Sequence, residues 1–171
     1  MHIIVDGYNL IRQSDVLRGY ERRSLEEGRK ALLRTLAGYR KIRGHRITVV
    51  FDGWQGGSPV EERDLAGGVE IIYSRLGEKA DGVIKRLIGD GAAEIMVVTS
   101  DRGISDFATH RGKTSMASPA FESLVGRVAA GPIPEAQPDD GEEEDRGAKK
   151  KGPSRRLSKQ QRAALARIRK L

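Results

Sequence analysis

Three candidate strands in this chain break off at or just before an aspartate, and that recurrence constrains the fold more than any other feature. Residues 2–5, His-Ile-Ile-Val, pass at once to Asp6-Gly7-Tyr8-Asn9; residues 47–51 pass to Asp52-Gly53; residues 94–99 pass to Ser100-Asp101-Arg102-Gly103. Short apolar runs without helical period suit strands buried on both faces, the strands of a parallel sheet covered by helices. In such sheets the crevice lies beyond the carboxyl ends of the strands. An acid just past a buried strand therefore stands in that crevice, although Asp-Gly is also a common turn pair.

The segments between these strands read as helices and loops. Ser24 with Glu27 matches a capping box, and Leu25, Leu32, Leu33, Leu36 and Tyr39 share one face of a helix running to about residue 42. Arg29, Lys30, Arg34, Arg40 and Lys41 fall on its other faces, as a solvated surface or an RNA-contacting one. Residues 12–23 read as a connection. Residues 54–68, rich in glycine, read as a flexible loop that carries the single tryptophan, Trp54, as a lid on the core or a stacking platform. Residues 69–73 form a further strand, and a helix over 78–88 buries Val83, Ile84, Leu87 and Ile88 while placing Glu78 and Asp81 in its first turn. Asp106 lies one turn beyond Arg102, residues 114–117 suit an edge strand, and Ser118-Pro119 opens a last helix to about 128. The alternation predicts an α/β three-layer sandwich with a mostly parallel central sheet over residues 1–130.

Charge sets the carboxyl-terminal extension apart from that domain. Of the net charge of +7, residues 1–131 carry only +3; residues 132–145 hold seven acids and no base, and residues 146–171 hold 11 bases and no acid. Residues 131–157 are expected to form a disordered charged linker. Ser158 with Gln161 opens a basic helix over 158–171, with Leu165, Ile168 and Leu171 as a narrow apolar stripe. A segment so basic points to a polyanionic partner, RNA first. No run approaches the roughly 20 apolar residues that span a bilayer, so no membrane partner is expected. No leader is apparent, and the lack of cysteine excludes thiolate chemistry and suits a reducing compartment; the expected location is cytoplasmic. His2, His45 and His110 lack the spacing of a zinc site.

Asp6, Asp52, Asp81 and Asp101 are predicted to meet at one edge of one sheet, with Asp106 as a further ligand candidate. Like charges gathered in a groove are costly unless cations neutralise them or protons are shared. Oxygen donors alone select hard cations, Mg2+ or Mn2+, over zinc. Two such ions about 3.5–4 Å apart activate water and stabilise the leaving oxygen in phosphodiester hydrolysis. Asn9 is expected to orient Asp6 or a water, or to serve a plain turn, and Thr99 and Ser100 to contact phosphate or bond locally.

The segments IIVDGYNLI, VVFDG, GEKADGVIKRLI and VVTSDRGISDFATHRG, in that order, resemble the NYN-domain proteins of the PIN-like nuclease group and, within it, the YacP-like ribonucleases. The resemblance covers roughly residues 1–128. It implies a PIN-like fold and metal-dependent endoribonuclease activity. It places the family's acidic positions on Asp6, Asp52, Asp81 and Asp101; the expected catalytic set is Asp6, Asp81 and Asp101, together with Asn9. It also implies messenger or ribosomal RNA as substrate or partner and a role at the ribosome. Two departures stand out: Gly82 follows Asp81 where such proteins often carry another acid, and the charged extension is not part of the pattern. The rival readings are a non-catalytic RNA- or ribosome-binding module and a phosphatase of the haloacid-dehalogenase type. The latter needs a second aspartate where this chain has Tyr8.

Overall fold

A computed structural model describes residues 1–53, 58–90 and 94–131 of the chain. Trp54 and the expectations for residues 132–171 lie outside the described residues. The element order is β1 (His2–Asp6), α1 (Gly7–Gln13), α2 (Asp15–Glu21), α3 (Leu25–Arg43), β2 (Arg46–Phe51), β3 (Glu62–Ala66), β4 (Val69–Tyr73), α4 (Ala80–Asp90), β5 (Ile95–Val98), α5 (Arg102–His110), β6 (Thr114–Met116) and α6 (Ser118–Ala130).

The six strands form one sheet in the order β3-β4-β2-β1-β5-β6, parallel except for β3. From β1 the chain builds outward through β2 to β4, then crosses back over β1 to add β5 and β6. The direction of build reverses at β1, which makes its carboxyl end the switch point where an open α/β sheet forms its crevice. The mostly parallel α/β architecture read from the sequence is the one observed, and its topology is PIN-like.

Alternation along the strands divides the core between two faces. Ile4, Val50, Ile72 and Val97 pack against Val83, Ile84 and Ile88 of α4 and Ile104 and Ala108 of α5. Ile3, Val5, Val49 and Ile71, also buried, belong to the opposite face, which α1 and α3 cover, with α6 packed against both helices. There Tyr39 of α3 meets Phe121 of α6 edge-on at 5.7 Å. Each fully buried Ile or Phe stabilises the domain by about 1.5–3 kcal/mol relative to exposure.

Several local expectations are corrected. Residues 12–23 are no simple connection, because α1 runs to Gln13 and Ser14 caps α2 by accepting a hydrogen bond from Leu17 N at 3.0 Å. Part of the supposed loop is β3, paired antiparallel with β4. Gly67 and Gly68, at φ 58° and 81°, form the two-residue turn between Ala66 and Val69. Positive φ at both positions is what such a tight hairpin requires, so the glycine pair marks a strand connection rather than slack chain. The exposed, charged β3 also blunts the edge of the sheet.

The capping box at Ser24 is half made. Ser24 Oγ accepts from Glu27 N at 3.0 Å, but Ser24 N bonds Tyr20 O and the Glu27 carboxylate approaches Arg23 instead. Helix α3 stops at Gly44, φ 69°. Glu78 lies before α4 rather than in its first turn, and its carboxylate is committed to Arg75 at 3.2 Å and Arg86 at 2.9 Å. Ser118 is the first residue of α6 and not its cap, which is Ala117.

Candidate active site at the carboxyl edge

Strands β2, β1 and β5 are adjacent and parallel, so Asp52, Asp6 and the segment 99–101 emerge side by side at one edge. Each acid also serves a helix start. Asp6 caps α1, its Oδ1 accepting from Asn9 N at 3.2 Å. Asp101 caps α5, its Oδ1 accepting from Ile104 N at 3.0 Å. Asp52 reaches across from β2 to α4 and accepts from Ala80 N at 2.6 Å. Helix amino termini carry partial positive charge, so three of them facing one edge offset part of the cost of gathering carboxylates there.

Asp6 is the buried member, 9% exposed. Its Oδ2 accepts from Thr99 Oγ1 at 3.1 Å, and Thr99 Oγ1 accepts in turn from Asp101 N at 3.1 Å. Thr99 is buried and its hydroxyl is spent on this bridge, which settles its role as local bonding. Burial pushes the Asp6 carboxyl up to about 6; the bonds from Asn9 and Thr99 pull against that, and the charges of Asp52 and Asp81 add to it. Asp81, in the first turn of α4, is half-buried and lies 3.8 Å from Lys85.

Asn9 is more than a turn residue. Its Oδ1 accepts from Ser100 N at 2.9 Å and from Ser118 Oγ at 2.8 Å, and Ser118 N donates to Ser100 Oγ at 3.3 Å. One amide thus ties the start of α1 to the end of β5 and the start of α6. With Oδ1 held by two donors, the orientation of the amide is fixed and Nδ2 remains as a donor. Ser118 was missed in the sequence because serine before proline reads as a helix cap; only the meeting of α1 and α6 reveals its partner. Asp106 is exposed on α5, away from the inward Ile104 and Ala108.

The glycines beside Asp6 and Asp52 answer to close approach. A Cβ on Gly7 would stand 2.3 Å from the Phe51 ring, and one on Gly53 would stand 1.9 Å from Ser74 O. Gly53 N also donates to Ser74 Oγ at 2.8 Å, and Ser74 Oγ donates to Glu78 O at 2.7 Å. Gly53→Ala should therefore push the end of β2 off β4. A loss of about 1–3 kcal/mol is expected, read as a lower urea midpoint with unchanged slope.

Among the described residues, no three His, Asp or Glu side chains form a ready cage for a metal ion. The oxygens that the described bonds leave uncommitted belong to Asp52, Asp81 and Asp101, next to Asp6. Magnesium keeps several waters and takes one or two carboxylates directly, so an open acid-lined edge suits a hydrated hard cation better than zinc. A cavity of 460 Å3 lies elsewhere, lined by Leu17, Leu32, Leu36, Phe121 and Val125 among others, and none of the four acids borders it.

Fold and site together define a PIN-like α/β domain with an acid-lined carboxyl edge. The model of the YacP-like NYN domain matches residues 3–170, and the chain belongs to that family. The match runs through the charged extension, beyond residue 128 where the recognisable motifs end. Uncharacterized protein YacP of Bacillus subtilis (strain 168) is 34% identical over 102 residues, 58% of this chain and 59% of the relative's length, so the matched region spans less than two thirds of it. A crystal structure of Rae1 (YacP) from Bacillus subtilis superposes with a TM-score of 0.63 at 28% identity, covering 76% of each chain. A mutant form of that protein gives 0.63 at 27% identity, covering 76% of this chain and 77% of the other.

Proposed function

We propose that this protein is a metal-dependent endoribonuclease that hydrolyses RNA phosphodiester bonds at the carboxyl edge of its sheet. One observation supports the reading most. The buried Asp6 stands in the field of Asp52 and Asp81 and is bridged through Thr99 to the backbone of Asp101. Like charges gathered at a switch point, where open α/β sheets bind their ligands, suit a bound cation that would neutralise them.

Asp6, Asp81 and Asp101, with Asp52 beside them, would hold Mg2+ or Mn2+, which when bound supplies water activation and stabilisation of the leaving oxygen. The chain's own part is positional. Asn9 N and Thr99 Oγ1 fix both oxygens of Asp6 before any substrate arrives. Asn9 Nδ2, on an amide clamped by Ser100 and Ser118, is placed to donate to a phosphate oxygen or a water. Messenger RNA as substrate and a place on the ribosome rest on the family resemblance. In the phosphatase alternative a carboxylate would stand at position 8, but Tyr8 is buried and its hydroxyl accepts from Arg29 Nη1 at 3.2 Å.

Incubation of the protein with single-stranded and hairpin RNA, in magnesium, in manganese or in chelator, tests the reading. Internal cleavage with either cation and none with chelator is expected. RNA bound but intact in both metals would leave a binding module. Sedimentation with ribosomes tests the location separately.

A further inference from the structure

The face of the sheet opposite α4 carries an arrangement that the acids do not explain. At its carboxyl edge Tyr8, Phe51 and Tyr73 form an aromatic row, with Tyr8 edge-on to Phe51 at 5.1 Å and Phe51 stacked on Tyr73 at 5.7 Å. Arg29, in the second turn of α3, closes the row. Its guanidinium lies 5.6 Å from the centre of the Tyr73 ring, and Nη1 donates to Tyr8 Oη at 3.2 Å.

Both contacts are with neutral groups, and among the described residues no carboxylate lies within ion-pair distance of Arg29. The nearest carboxylate on its own helix, Glu26, pairs with Lys30 and meets Arg29 only through its longer-range field. A half-buried guanidinium is costly to hold unless its charge meets an anion, and one hydroxyl uses only one of its five N–H donors. The place is also specific. Tyr8 is two residues beyond Asp6, and Tyr73 ends β4, one residue before the Ser74 that receives Gly53 N. Arg29 therefore stands beside the acidic edge on its β4 side, gripped by aromatic walls that fix its direction.

We propose that Arg29 is a substrate-binding residue that grips a phosphate of the RNA strand flanking the scissile bond. This rests on the nuclease reading and adds a substrate contact to it. A planar guanidinium suits a phosphate through paired N–H donors, and holding it beforehand reduces the ordering cost of binding. The acids repel the strand that they must cut, and a fixed cation beside them draws it into register.

The test compares Arg29→Gln, Arg29→Lys and Lys41→Gln. Lys41 is exposed on the same helix about 18 Å along its axis, so its removal takes away the same charge from another place. Binding of single-stranded RNA is measured in the Asp6→Asn background across a salt series, and cleavage in the native background. Arg29→Gln is expected to weaken binding and raise KM about 10-fold, with kcat changed less than about 2-fold and the salt slope reduced by about 0.7. Arg29→Lys should restore part of the loss, and Lys41→Gln should move KM less than about 2-fold. Equal effects of Arg29→Gln and Lys41→Gln would overturn the proposal, as would a loss in Arg29→Gln that follows a fall in melting temperature and is unaffected by lysine. If the native chain cleaves RNA and Arg29→Gln behaves as native, the contact alone fails; if the native chain neither binds nor cleaves RNA, the nuclease reading fails and this contact with it.

Discussion

Asp6→Asn should lower RNA cleavage about 100-fold or more while making the fold more stable. The shape of the site favours this pairing of effects. Asparagine caps a helix as well as aspartate does, so Asn9 N keeps its acceptor and α1 keeps its start. Thr99 Oγ1, which donates to Asp6, can turn its hydroxyl and accept from the new amide while still accepting from Asp101 N. What disappears is a buried negative charge facing Asp52 and Asp81. The Asp6 carboxyl titrates at about 6 in the fold against 3.8 as its ordinary value, so the folded chain binds a proton more readily than the unfolded one. The stability this proton confers is complete below 3.8 and is lost as pH rises through 6. The metal-free variant should therefore gain about 1–3 kcal/mol over the native chain at neutral pH, a gain that vanishes near pH 4. Thermal unfolding of both proteins across that range, in chelator, measures it. Added magnesium should narrow the difference, because a bound cation stabilises only the chain with its carboxylate. Native cleavage by Asp6→Asn at matched metal would remove Asp6 from the site.

The parts of this molecule that sequence alone disclosed are those with a short-range cause. Short, mostly apolar runs without helical period, such as residues 47–51, suit strands covered on both sides, and their parallel order is enough to place Asp6, Asp52 and Asp101 at one edge. What escaped has a long-range cause. Gly67 and Gly68 look like slack until β3 and β4 are seen to pair through them. Helices α1 and α2 escaped because Asp6 and Ser14, which cap them, also serve the groove and the contact with Glu122. Arg29 reads as one more cation on a solvated face; the rings that hold it come from α1 and β4. The three capping roles carry a further lesson. Asp6, Asp52 and Asp101 each have a structural duty, so alanine at these positions confuses loss of a cap with loss of a ligand, whereas asparagine separates the two.

Removal of residues 146–171 should weaken RNA binding more than any single substitution outside the acids, with little effect on cleavage at saturating RNA. That segment holds 11 of the 31 basic residues and no acid. Each phosphate neutralised releases counterion and contributes about 0.7 to the salt slope on single strands. If about half of these cations meet phosphates, truncation flattens the slope by about 3–4, equivalent to roughly 100-fold in affinity between 50 and 200 mM salt. The seven acids of residues 132–145 complicate a simple cut, since a chain ending at 145 presents them to RNA without their basic counterpart. A second truncation at 131 resolves this. If the basic segment grips RNA and the acids act only as a charged spacer, the chain ending at 145 binds more weakly than the one ending at 131 at low salt, where the remaining repulsion is unscreened, and the two converge as salt rises. If instead the acids fold back on the basic segment and compete with RNA, moving them beyond Leu171 on a long flexible linker should itself tighten binding at low salt, whereas a relocated variant that binds as weakly as the whole native chain would assign the effect to net charge. A truncated chain with the slope of the whole protein would show that residues 146–171 face something other than RNA.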